Sequence, residues 1–209
     1  MQGWVDEQLT NQHKGKFTSP RIYRERYYLQ QYILILGNTG IRVGEARGLR
    51  WLDLSSVVGT NEEEDLVVSV KGKTGRRDVV ANKGTERYFK RLAEFRTKEL
   101  GKTPPLEEYI FCHSDGSSVN SYKKGYQNLL TKCGLRTTPD GEYRTLYSIR
   151  HTYATMRIKE VPIYQLSVNM GTSVKMIEEY YSHAKVKDPS FAKLMTKGNQ
   201  RGSSKVLPF

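Results

Sequence analysis

Apolar residues along the chain fall into short periodic blocks separated by polar or glycine-containing breaks. The first block carries Tyr28, Tyr32, Ile33, Leu34 and Leu36. It follows Ser19-Pro20-Arg21, a helix-start signal with Pro in the first turn, and runs to Gly37-Asn38, a stop signal. A shorter helix is expected from Val43 to Leu49, ending near Trp51. Leu66-Val67-Val68-Ser69-Val70 and Asp78-Val79-Val80 are apolar enough and rich enough in β-branched residues to read as strands, joined by the turn-like Lys73-Thr74-Gly75. Glu86 to Leu100 has helical spacing, with Phe89, Leu92 and Phe95 on one side. A short strand is predicted at Tyr109-Ile110-Phe111. Four more helices are predicted at Tyr122–Cys133, Tyr147–Lys159, Ile163–Asn169 and Val174–Tyr181. The pattern therefore describes a mainly α domain with a small antiparallel β-sheet inserted, an α+β arrangement.

Composition narrows this picture. The chain has 209 residues, 37% hydrophobic, 27% charged and 11% aromatic, which suits a globular domain and exceeds what disordered chains contain. Residues 1–20 are polar with little periodicity and read as a connector, 21–187 as one domain, and 188–209 as a tail that ends in Val206-Leu207-Pro208-Phe209. No apolar run approaches the roughly 18–20 residues of a membrane span. The start MQGWVDEQLT has neither the basic nor the apolar part of a secretory signal. The two cysteines, Cys112 and Cys133, form no CxxC pair, so they are expected to be small core residues rather than a disulfide or metal site. These features together point to a cytoplasmic protein with no membrane partner.

The charge adds a direction. With 34 Lys+Arg against 22 Asp+Glu, the formal net charge is +12. The 21 residues from Lys71 to Arg91 hold +6 of it, and the acidic run Glu62 to Asp65 stands just before them. Such segregation suits one face presented to a polyanion, with Lys71, Arg76 and Arg77 as candidate contacts to it; a generally basic soluble surface is the other reading.

Several chemistries lack their motifs: there is no GxxxxGK[ST] loop, no HExxH and no carboxylate cluster for Mg²⁺. No metal and no cofactor are expected. Three local settings remain. Arg42 stands at a helix opening, where guanidinium and backbone N–H groups can both receive an anion. Tyr147 and Arg150 are three apart, hence on one helical face. Gly171-Thr172 precedes Tyr181 by one short helix.

Taken together and in this order, the residues resemble the catalytic domain of the tyrosine recombinase (phage integrase) family, over about residues 22–185. TGIRVGEARGLRWLDL is similar to the family's first arginine box, which implies Arg42 as a catalytic arginine and Glu45 as its acidic support. VKGKTGRRDVV places the family's catalytic lysine at Lys73 first and Lys71 second. SIRHTYAT matches the second half of a His-x-x-Arg box, giving Arg150. MGTSVKMIEEYYSH is similar to the nucleophile box, giving Tyr181. Tyr147 stands where the family carries His, and Thr172 where it carries His or Trp. Both keep a hydrogen-bonding group and lose a titratable one, with His151 and His183 as candidate stand-ins.

The resemblance implies the DNA breaking-rejoining fold. It also implies a site-specific recombinase acting on double-stranded attachment-site DNA through a 3′-phosphotyrosyl intermediate, without metal or ATP. A DNA-binding protein without strand cleavage and a type IB topoisomerase-like enzyme are the alternatives. It further implies an absent N-terminal clamp domain, a homotetramer on DNA when full length, a monomer in isolation, and accessory DNA-bending proteins. The tail would pack on a neighbouring protomer or fold back on its own core.

Overall fold

The computed structural model describes residues 19–58, 63–72 and 75–181. The expected connector up to residue 18, Lys73, His183 and the tail lie outside the described residues. Helices are α1 (Pro20–Thr39), α2 (Val43–Arg47), α3 (Glu86–Leu100), α4 (Lys123–Lys132), α5 (Leu146–Arg157), α6 (Ile163–Met170) and α7 (Val174–Tyr181). Strands β1 (Leu54–Val58), β2 (Glu64–Gly72) and β3 (Gly75–Val80) form one antiparallel sheet in the order β1-β2-β3. Among the described residues, no helix is long and apolar enough to cross a membrane.

The expected helices are all present, with ends shifted by a few residues. Strand β1 was not anticipated. Its sequence LSSVV lacks alternation, and it is ordered by pairing Leu54 with Val68 through Val58 with Glu64 of β2. Tyr109 and Cys112 make only isolated bridges, to Arg50 and Ser118, in place of the expected strand. Cys112 is buried as expected, but Cys133 is exposed, because it falls just past the last turn of α4.

Helix α1 is the axis of the domain. It packs against α2, α3, α4 and α5, and from Tyr28 to Leu36 only Leu34 is partly exposed. A helix covered all round needs no polar stripe. Even Gln30 and Gln31 are buried, the second donating to the first at 3.1 Å. Each fully buried side chain such as Ile35 or Leu36 contributes about 1.5–3 kcal/mol. A second, smaller cluster of Tyr153, Ala154, Leu166, Met170 and Ile177 joins α5, α6 and α7.

Helix α1 passes through the expected stop at Gly37-Asn38. Asn38 Nδ2 and Thr39 Oγ1 donate to the carbonyls of Leu34 and Ile35, so neither competes for the chain direction. The helix ends instead at Gly40, whose φ of 65° is left-handed. A Cβ there would lie 2.3 Å from the Tyr153 ring. Gly40→Ala therefore meets both backbone strain and a clash with a buried aromatic. It should lower stability by about 2–4 kcal/mol, read as a lower urea midpoint.

Candidate phosphate-binding site

Three guanidinium groups from distant parts of the chain meet at the C-terminal end of α6. Arg42, just before α2, donates from Nη1 to Glu45 Oε1 at 2.8 Å and from Nη2 to the Gly171 carbonyl. Arg77 on β3 grips both oxygens of Glu45, at 2.7 and 2.9 Å, and its Nη2 reaches the Met170 carbonyl at 3.0 Å. Arg150 on α5 donates to the Gly40 carbonyl at 2.5 Å and to the Met170 carbonyl at 2.8 Å.

The cause lies in the helix ends. The last carbonyls of α6 have no partner within the helix, and the helix dipole makes that end negative. Arginine satisfies both demands, so the C-terminus of α6 collects cations. Gly171, with a left-handed φ of 63°, turns the chain away and leaves room for them; a Cβ there would sit 2.5 Å from Arg77 Cζ. Asn169 completes the junction. Its side-chain amide accepts from Val80 N at 2.9 Å and donates to Val80 O at 3.1 Å and Tyr153 Oη at 3.3 Å. This ties α6 to β3 and α5. Nothing local in the sequence marks Asn169 for that task.

Glu45 is the anionic centre, with a side chain 3% exposed. Burial alone would raise its pKa. The hydrogen bonds from Arg77 and from the Arg42 backbone and side chain outweigh that and bring it from the ordinary 4.5 to about 2. A carboxyl whose folded pKa is depressed contributes stability that is complete above its unfolded value and is lost as pH falls through the folded one. Stability should therefore drop between about pH 4.5 and 2, with Glu45 accounting for on the order of 3 kcal/mol. Urea unfolding at pH 6 and pH 3 checks this: the drop should be smaller in Glu45→Gln.

The backbone N–H of Arg42 donates to Glu45 Oε2 at 2.8 Å. The expected anion site at that helix opening is therefore a guanidinium site, its N–H being already occupied. Arg42 keeps its side chain 41% exposed, whereas Arg150 is 3% exposed. Burial, and then the charge of Arg42, lower the Arg150 pKa.

The structure places the remaining expected site residues as follows. Tyr147 is 47% exposed and meets the half-buried His151 edge-to-face, ring centroids 4.8 Å apart. Burial and the neighbouring Arg150 lower the His151 pKa, which favours its uncharged form. Thr172 is half-buried, its N–H bonded to the Ser167 carbonyl at 3.0 Å. Ser173 accepts from Met176 N at 3.2 Å and so caps α7, which ends at Tyr181. Lys71 is exposed on β2 opposite Arg76, which pairs with Asp53 at 2.6 Å while staying largely exposed. Arg77 has a different environment from the expected DNA-facing one: its side chain is 20% exposed and turned inward. Strand alternation explains this, since Arg77 shares its face with the fully buried Val79. That parity was the available signal. Among the described residues, no three of His, Cys, Asp and Glu come together to hold a metal ion.

Comparison with known proteins gives a consistent set of matches. A model of the phage integrase family matches residues 11–188. The tyrosine recombinase XerC of Oceanobacillus iheyensis is 27% identical over 190 residues, which cover 88% of this chain and 53% of that protein. The chain thus spans about half the length of the curated relatives it matches. Among solved structures, the XerH site-specific recombinase bound to its difH substrate aligns with a TM-score of 0.59 at 22% identity, covering 86% of this chain and 48% of that one. The catalytic domain of bacteriophage HP1 integrase aligns at 0.52 and 18% identity, covering 88% of this chain and 94% of that one. At these identities the structural matches establish the fold, that of a recombinase catalytic domain.

Proposed function

Because this chain belongs to the phage integrase family, we propose that it cleaves and rejoins DNA at a specific site by transesterification, with Tyr181 as the attacking residue. The observation that carries this reading is the anchoring of Arg42 and Arg150 to the consecutive carbonyls of Gly171 and Met170, at the head of the segment that ends at Tyr181. Two cations and a nucleophile helix are thereby held to one short stretch of backbone.

The chemistry follows from charge. Attack by the Tyr181 oxygen on a phosphodiester forms a tyrosyl–phosphorus bond, breaks the bond to the 5′-oxygen and concentrates negative charge on the non-bridging oxygens. Preorganised donors stabilise that charge without reorganising at the moment of reaction. Arg42 and Arg150 supply planar N–H forks suited to such oxygens. The hydroxyls of Tyr147 and Thr172 are further donors. Lys73 protonates the departing 5′-oxygen and the nucleophile's proton is taken up nearby, with His151, whose lowered pKa favours the uncharged imidazole, as a candidate acceptor. One phosphodiester replaces another, so the bond energy is kept for rejoining.

A pool of nicked duplexes with a randomised core tests the reading. On cleavage the short 5′-hydroxyl strand diffuses away and leaves the protein joined to DNA. Digestion of the trapped species should give a nucleotide-bearing peptide containing Tyr181, and sequencing the trapped DNA gives the target. DNA that is retained without a covalent peptide would leave a binding protein on the same fold and overturn the cleavage reading.

A further inference from the structure

Arg77 contributes more to this centre than one ion pair. Its guanidinium takes both oxygens of Glu45 and the carbonyl of Met170, and its Nε stands 3.5 Å from the carbonyl of Asn169. Each of those acceptors also holds another part of the site. Glu45 Oε1 accepts from Arg42; the Met170 carbonyl accepts from Arg150; Asn169 is bonded to Val80 of the same strand. The missing side chain of Gly171 is filled by the Arg77 stem and guanidinium. One residue on β3 is therefore connected at one remove to both arginines that the proposed mechanism uses.

We infer that Arg77 is a positioning residue, which sets Arg42 and Arg150 as an aligned pair for a tetrahedral oxyanion by fixing Glu45 and the end of α6 at once. The inference rests on the phosphate-binding reading above. A bidentate fork fixes the plane of Glu45, and the plane of Glu45 in turn fixes the direction of the Arg42 Nη1 bond. Without Arg77, Glu45 keeps Arg42 as its direct partner but can rotate with it. The Met170 carbonyl keeps Arg150 but loses the strand that holds it in place. Lysine cannot substitute fully, because an ammonium has no planar fork to span the carboxylate and a carbonyl together.

The pH behaviour separates positioning from general support. Glu45 is faced by Arg42 from its own turn, Arg77 from β3 and Arg150 from α5, while the backbone of Gly72 on β2 approaches so closely that a Cβ would lie 2.9 Å from Oε1. Removing Arg77 leaves burial, which raises the carboxyl pKa, opposed by fewer partners. Protonation of Glu45 in mildly acidic solution then releases the Arg42 guanidinium.

The test uses the full chain and inorganic sulfate, a tetrahedral anion that does not titrate in the range examined. Calorimetric affinity is measured from pH 4 to pH 6, alongside the rate of covalent trapping. Arg77→Met should bind sulfate about tenfold more weakly than the unaltered protein and weaken further as pH falls. The unaltered protein should show no such added slope, and in an Arg42→Ala background the Arg77 change should have a smaller effect, the part that acts through Met170 and Arg150. Trapping should slow by about 10²-fold, the scale of a small misplacement of reacting groups. Arg77→Lys, which keeps charge and stem and guards against misfolding, should show a smaller loss with a shallower acid slope. Unchanged sulfate affinity in both variants overturns the inference, as does a loss that persists undiminished in the Arg42→Ala background. Sulfate binding that behaves as expected in a protein that never traps DNA supports the inference and overturns the cleavage reading alone. No sulfate binding by the unaltered protein overturns the inference.

Discussion

Tyr181→Phe should abolish covalent trapping of nicked DNA altogether while leaving DNA retention intact. The phenolic oxygen is the atom that would form the bond to phosphorus, and no amount of preorganised charge compensates for its absence. The neighbouring Tyr180 provides the internal control. Consecutive helical residues diverge by about 100° around the axis, so both cannot face one phosphate. Tyr180→Phe should trap at close to the normal rate. An adduct that survives in Tyr181→Phe and disappears in Tyr180→Phe would move the nucleophile by one residue. Salt is a second control, because retention by phosphate contacts falls steeply with ionic strength whereas a covalent adduct does not.

Arg150→Ala has the next largest expected effect. The side chain is almost fully buried, yet it carries a charge whose partners are the two carbonyls of Gly40 and Met170. Under the proposed function, truncation removes one of the two guanidinium donors to the oxyanion, at an expected cost on the order of 10²–10³ in rate. It also leaves two carbonyls without that donor, which costs about 1–3 kcal/mol per unsatisfied group. Met170 retains Arg77, so the larger share of the loss falls on Gly40. Single-turnover trapping and urea unfolding measured together separate the two effects. Arg150→Lys should recover part of the stability and little of the rate, since one ammonium cannot reach both carbonyls and present a fork to phosphate. A rate loss matched by Arg150→Lys recovery in full would mean that only the charge is needed.

The same residues show how far a linear reading reaches. Helices α3 to α7 were legible because their apolar positions follow helical spacing and their ends carry Gly, Pro or polar caps. Helix α1 is legible too, but its end is not. Its interior, YYLQQYILIL, is buried almost all round, so no stripe marks its faces, and the glycine that ends it is Gly40 rather than Gly37. Strand β1 was invisible because edge pairing to β2, not its own pattern, orders it. Residue type alone suggests a core place for Cys133, but its position at a helix end exposes it.

For the site, the order and spacing of the boxes around Arg42, Lys73, Arg150 and Tyr181 suggested a family, and the match over residues 11–188 places the chain in it. Composition determined the charge, and local pattern the helical periods, because these need no knowledge of distant partners. Parity with Val79 marks Arg77 as the inward-facing arginine, but which group it meets there was a tertiary matter. Arg76 and Arg77 are adjacent and identical in type, and strand alternation leaves one largely exposed beside Asp53 and turns the other into the Glu45 carboxylate. The gathering of Arg42, Arg77 and Arg150 at the end of α6 could not be read from spacing, since the partners are up to 129 residues apart. It arises from the unpaired carbonyls of one helix end, and those meet their cations only after α1, β3 and α5 have packed around it.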